Sequence, residues 1–194
     1  MRTTLLVSVI TGCLIATGGA AAQEMPKARN VNPDAGLAAD FRKRVDAYVE
    51  LRDKAENASP DLERTNKPAE IGTAEQSIAQ KIRQARPAAK RGDIFTPATE
   101  AMFRRLLKAP LNKTKDGADN KAIIKDDAPK PKEVPFKVNS EYPKDVALST
   151  VPPDVLLSLP QLPEDVQYRF VGKHLILYDA KANLIIDFML NAMP

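Results

Sequence analysis

Few residues in this chain could do chemistry by type and spacing. The chain has a single histidine, His174. It stands on an apolar-alternating stretch beside Gly172-Lys173, where it reads as a surface residue at a strand end. Zinc or copper would need several His or Cys ligands, which the chain does not supply. A Ser-His-Asp arrangement would have to use His174 as its base, and no serine sits in a nucleophile turn. Glycine totals eight, with no phosphate-cradling loop and no dinucleotide fingerprint. No cofactor and no metal site is therefore expected. Asp and Glu total 25, which leaves a two-carboxylate hydrolase open, but most of them fall on charged helical faces or in a polar stretch. Asp187 is the exception, because it lies inside an apolar strand. Either it pairs with Arg169 on the same sheet face, or it lines a site.

These side chains need elements to hold them. Tyr168, Phe170, Leu175, Leu177, Leu184, Ile186 and Phe188 recur with period two, which places them on one face of a sheet. Gly172-Lys173 suits a type II′ hairpin loop, and Asp179–Asn183 reads as a longer loop. The spacing predicts a three-stranded antiparallel meander, roughly 167–171, 174–178 and 184–189. Its second face would carry Arg169, His174, Tyr178 and Asp187 among Val171, Ile176 and Ile185. Such a meander is marginal alone and needs a cover.

The cover is expected upstream. Asn32-Pro33-Asp34 is a helix start, followed by the stripe Leu37, Phe41, Val45, Tyr48, Leu51 and Ala55. Arg44 and Arg52 fall within that stripe. Their stems would lie over the core with the heads in water, or they would mark an anion or partner site. A second helix is predicted over about 69–86, and a third from Thr96-Pro97 to a stop at Pro110. Residues 111–150 are rich in Lys, Asp and Pro and read as a flexible linker, disordered over about 111–132. Within it, residues 112–123 resemble a calcium loop but lack the closing glutamate, since Ile123 occupies that place. Val134–Val138 reads as a short extended piece. A short helix from Val151-Pro152-Pro153 to Leu159 follows, and Leu156, Leu157, Leu159 and Leu162 are expected to dock on the sheet.

The first 22 residues read as a signal peptide: Arg2, the apolar run Leu5–Ala16, then Ala20-Ala21-Ala22 for cleavage. Residues 23–31 read as a loose tail. Export would remove Cys13, the one cysteine, or lipidation at Cys13 would anchor the chain. No later stretch is apolar enough to span a membrane. The formal charge is +4, but Lys and Arg are interleaved with Asp and Glu, which argues against a nucleic-acid surface.

Two stretches carry a resemblance. Gly92-Asp93-Ile94-Phe95-Thr96-Pro97, running into Phe103-Arg104-Arg105-Leu106-Leu107, is one. Tyr168-Arg169-Phe170-Val171-Gly172, with Asn183-Leu184-Ile185-Ile186-Asp187, is the other. Together they resemble a group of uncharacterised exported bacterial proteins, which implies an exported bacterial protein and no particular catalytic residue. The hairpin is also similar to the C-terminal repeat of periplasmic nickel/cobalt-homeostasis proteins, but the chain has no metal-rich tract and no metal role follows. The expectation is an α+β protein in the periplasm or outside the cell. It would act as a non-enzymatic interaction module toward an envelope protein or polymer. The candidate surface is Arg44, Arg52, Arg169, His174, Tyr178 and Asp187. The alternatives are a carboxylate-dependent envelope hydrolase and a small-ligand or metal-ion carrier.

Overall fold

Among the described residues five helices precede a three-stranded sheet, one helix more than the apolar periodicities predict. The structure is a computed structural model and describes residues 32–59, 68–112 and 115–193. The segments read as signal peptide and tail, with Cys13, lie outside the described residues.

Helix α1 spans Pro33–Asn57, and the side chain of Asn32 accepts the Asp34 N–H at its start. Helix α2 spans Pro68–Ala85 and α3 spans Pro97–Asn112. Thr96 caps α3, its hydroxyl accepting the Thr99 N–H at 3.3 Å. Pro110 does not stop α3, which runs on for two more residues and buries Leu111. Near a helix end, the loss of one N–H is tolerated, and the Pro110 carbonyl accepts from Asn120 at 3.0 Å.

The stretch expected to be disordered is where the structure departs most from the sequence reading. Lys115–Asp127 forms a helix, α4. It docks on α3 through Ile124, which is fully buried, and Asn120. Two inward residues four apart suffice to seat a short helix, although they are too few to lift its average hydropathy. Shortening Ile124 to alanine should therefore cost about 2–5 kcal/mol in a urea melt. A disordered segment would register no change.

Helix α5, Pro153–Ser158, packs on α3. Strands β1 (Val166–Val171), β2 (His174–Asp179) and β3 (Leu184–Met189) follow in the order β1-β2-β3, all antiparallel. Gly172 takes φ 55° in the β1–β2 turn, as that turn demands. A Cβ there would lie 3.0 Å from the Pro131 ring.

One face of the sheet meets the helices. Phe41, Phe95, Phe103 and Tyr168 form an aromatic cluster, with Phe103 centred 4.9 Å from Phe41 and 5.1 Å from Phe95. The helical region and the meander thus share one core. The other face is covered as well. Residues 128–150 form a strap that lays Val134, Val138 and Tyr142 over Ile176, Tyr178, Ile185 and Phe188. The strap also pairs with the outer edge of β3: Ile185 donates to Ser140 O at 2.9 Å and Tyr142 to Asn183 O at 3.1 Å. The extended piece that pairs is therefore 139–142, not 134–138. The linker reading fails because prolines and lysines hide three well-spaced apolar anchors.

The pairing register shifts between Leu177 and Tyr178 because β3 carries a bulge: Leu177 faces Asp187, while Tyr178 faces Ile185. The extra residue, Ile186, changes the phase of the strand. Phe188 consequently joins the strap side, and Met189 takes its expected place with Leu184 and Ile186.

Candidate functional site

The bulge decides what Asp187 does. It turns the carboxylate toward the helices, where residues 92–95 wrap around it. Oδ2 accepts the N–H groups of Ile94 at 2.8 Å, Phe95 at 2.9 Å and Gly92 at 3.2 Å. Oδ1 accepts Gly92 at 3.0 Å and Phe188 at 2.8 Å. Gly92 adopts φ 90° to bring its N–H inward, a conformation suited to glycine. Burial pushes the Asp187 carboxyl up from its usual range, while the four amides pull it back down. Asp187 does not pair with Arg169, which donates instead to Gln167 Oε1 at 2.7 Å. The two stretches that carry the resemblance thus meet at this carboxylate.

A second buried carboxylate, Asp179, closes the β2–β3 loop. Its Oδ1 accepts the N–H groups of Lys181 at 2.9 Å and Ala182 at 3.1 Å, and Oδ2 accepts the Tyr48 hydroxyl at 2.6 Å. Burial, reinforced by Asp179, raises the Tyr48 phenol well above 10. Tyr48 is therefore a fixed donor, not a proton shuttle. Arg52 is only 4% exposed and donates to Glu164 O and to Asp53. It is a strut between α1 and the run-in to β1.

A pair of carboxylates doing acid–base work needs free oxygens converging on substrate. Here both buried carboxylates are saturated by donors inside the fold. Among the described residues no three His, Cys, Asp or Glu side chains gather as metal ligands.

The candidate surface residues do not form one surface. Arg52, Tyr178 and Asp187 are buried, and the Tyr178 hydroxyl donates to Asn183 Oδ1 at 3.0 Å. Sequence phase placed Tyr178 and Asp187 on an open face, but the strap and the bulge close them off. Arg44 stays at the exterior, with Nε on Asp40 at 2.8 Å and Nη1 on the Asp93 carbonyl at 2.9 Å.

His174 is half-buried, edge-on to Phe136 at 4.8 Å between centroids. Its Nδ1 accepts the Asn191 N–H at 2.9 Å, which requires the neutral ring. Burial, then Lys173, lowers its pKa from 6.5. A histidine whose folded pKa is depressed stabilises the fold above its unfolded pKa, and that contribution is lost as pH falls through the folded value. Acidification should thus release the C-terminal turn. We expect the NMR-measured protection of the Asn191 amide to be present at pH 7.5 and to be lost on acidification below the ordinary histidine range. Protection that does not change as the His174 ring titrates would show that His174 does not hold the turn.

The feature not legible from periodicity is a groove of about 620 Å³ between α5 and β1. Leu159, Pro160, Leu162 and Tyr168 line it. Leu159 docks on the core as expected, but Leu156 and Leu157 do not: they are 44% and 85% exposed. Beside them runs the outer edge of β1. The two-residue turn makes Val171 and His174 a hydrogen-bonded pair, so Arg169 and Gln167 also bond to β2 while the main-chain N–H groups of Phe170, Tyr168 and Val166 point away from it. The Phe170 N–H is taken by Ser149 Oγ at 2.8 Å and that of Val166 by Pro163 O at 3.2 Å. The Tyr168 N–H has no partner among the described residues. Arg169, on the groove's flank, has its Nε shut off from water without an acceptor.

Geometry of this kind defines an α+β protein whose polar interior is structural and whose exposed apolar feature is a groove along a strand edge. No protein-family model matches the chain, and no curated protein or solved structure is significantly similar to it.

Proposed function

We propose that this chain is an exported, non-enzymatic binding module that takes an extended segment of a partner protein in the groove between α5 and β1. The observation that carries this reading is the apolar groove itself, with Leu157 85% exposed on its wall and the Tyr168 N–H at its floor without a partner among the described residues. An open strand edge recruits another strand through main-chain hydrogen bonds, and flanking pockets choose its side chains. The α5 leucines would receive apolar side chains on one side of the added strand, with Arg169 on the other. The saturation of Asp179 and Asp187 weighs against the hydrolase reading. Export is supported by the pattern of residues 1–22. It is tested by the mass of the protein recovered from its host, which should begin at Gln23.

The docking reading is tested by selecting peptides from a random library on the purified chain and mapping hydrogen exchange in the complex. Bound peptides should protect the Tyr168 amide and lose affinity for a Leu157→Asp variant. Leu157 is solvent-facing, so that variant should fold normally. Peptides that protect another region, or that bind Leu157→Asp equally well, would overturn the proposal.

A further inference from the structure

A second concavity, between α1, the end of α2 and the loop before α3, has a different chemistry. It measures about 270 Å³, and its walls are Arg44, Tyr48 and Leu51 of α1, Arg86 just beyond α2, and Asp93 and Ile94 of the loop before α3. Arg86 is half-buried, and no carboxylate of the described residues forms an ion pair with it. Its nearest compensation is the face of the Tyr48 ring, 5.1 Å from Cζ. Nη1 is closed off from water with no acceptor. The acids near Arg86 are otherwise engaged: Asp187 by amides, and Asp93 Oδ2 by the Lys90 N–H at 2.9 Å. Arg44 stands on the other wall. Its Nε and Nη1 are committed, and Nη2 has no partner among the described residues.

A half-buried guanidinium without a counter-ion is costly, and an anion that reaches it relieves that cost. We infer that this concavity binds a small organic carboxylate held between Arg44 and Arg86, with Leu51 and Ile94 against its apolar part. The acidic side chains of Asp93 in the wall and of Asp40, bonded to Arg44, favour a singly charged ligand over a doubly charged phosphate. Burial lowers the pKa of Arg86 below the ordinary arginine value, as expected for a cation lacking an anion. The site is separate from the β1 groove and stands whether or not that groove binds a partner.

The test is thermal unfolding of the full chain against acetate, propionate, benzoate and inorganic phosphate at constant ionic strength, with chloride as reference. A carboxylate should raise the midpoint saturably. The apparent affinity should fall about tenfold in Arg86→Gln and in Arg44→Gln, the loss of one charge-assisted hydrogen bond. Arg44 is exposed, so the second variant carries the test even if the first fails to fold. No saturable shift with any carboxylate, or the same shift in Arg44→Gln, would overturn the inference. A stronger response to phosphate would overturn the preference for a single charge.

Discussion

Replacing Asp187 with alanine should remove about 3–5 kcal/mol of stability, read as a fall in the urea midpoint with an unchanged slope. The side chain is fully buried. Its loss strands the N–H groups of Gly92, Ile94 and Phe95 in a dry interior, together with that of Phe188. Each unsatisfied donor costs roughly 1–3 kcal/mol, less whatever water can enter. Asparagine offers a sharper comparison. Its carbonyl oxygen can replace Oδ2, but its amide group then faces the donors gathered at Oδ1. We expect Asp187→Asn to lose about half as much as alanine. Equal losses would mean that the second oxygen matters as much as the first.

Phe103→Ala should be the other severe change, at about 3–5 kcal/mol. Phe103 is fully buried and its ring contacts three others: Phe41, Phe95 and Tyr168, the last at 5.8 Å between centroids. These rings come from α1, the loop before α3, α3 itself and β1, so no single element can shift to fill the hole. Calorimetry should show one transition moving down, because helices and sheet share this cluster. Two separate transitions would mean that the helical half and the meander are independent units.

The strands and the first three helices were legible because their apolar residues keep period, and Asn32 and Thr96 cap where their types suggest. Helix α4 was not. Its stripe is Asn120 and Ile124 within a run of Lys and Asp, and a buried asparagine does not register as apolar. The strap was hidden for a related reason, since Val134, Val138 and Tyr142 are separated by turns that break any period. The bulge left no trace, because β3 is apolar on both faces and a slip by one residue looks the same from composition. Of the proposed surface, Arg44 remains at the exterior and Arg169 flanks the groove. The role of Asp187 depends on backbone amides, which side-chain patterns do not reveal. The one available signal was Gly92 four residues before the α3 cap. The groove escaped because Leu156 and Leu157 look like core residues until α5 is seen to turn only Val155 fully inward.

Tyr48 meets Asp179 across 131 positions of chain, and residues 92–95 meet Asp187 across 92 to 95. The ribosome makes the helices first and their counterparts last. Until β1, β2 and β3 emerge, Phe41 and Phe103 lack the surface that covers them, and the loop over 92–95 has no anion to gather it. Contacts this distant in sequence also close slowly. A nascent or clipped chain ending before β3 is therefore an open, adhesive polymer, suited to threading or to capture by a chaperone. Completion of β3 acts as the latch that ends that state.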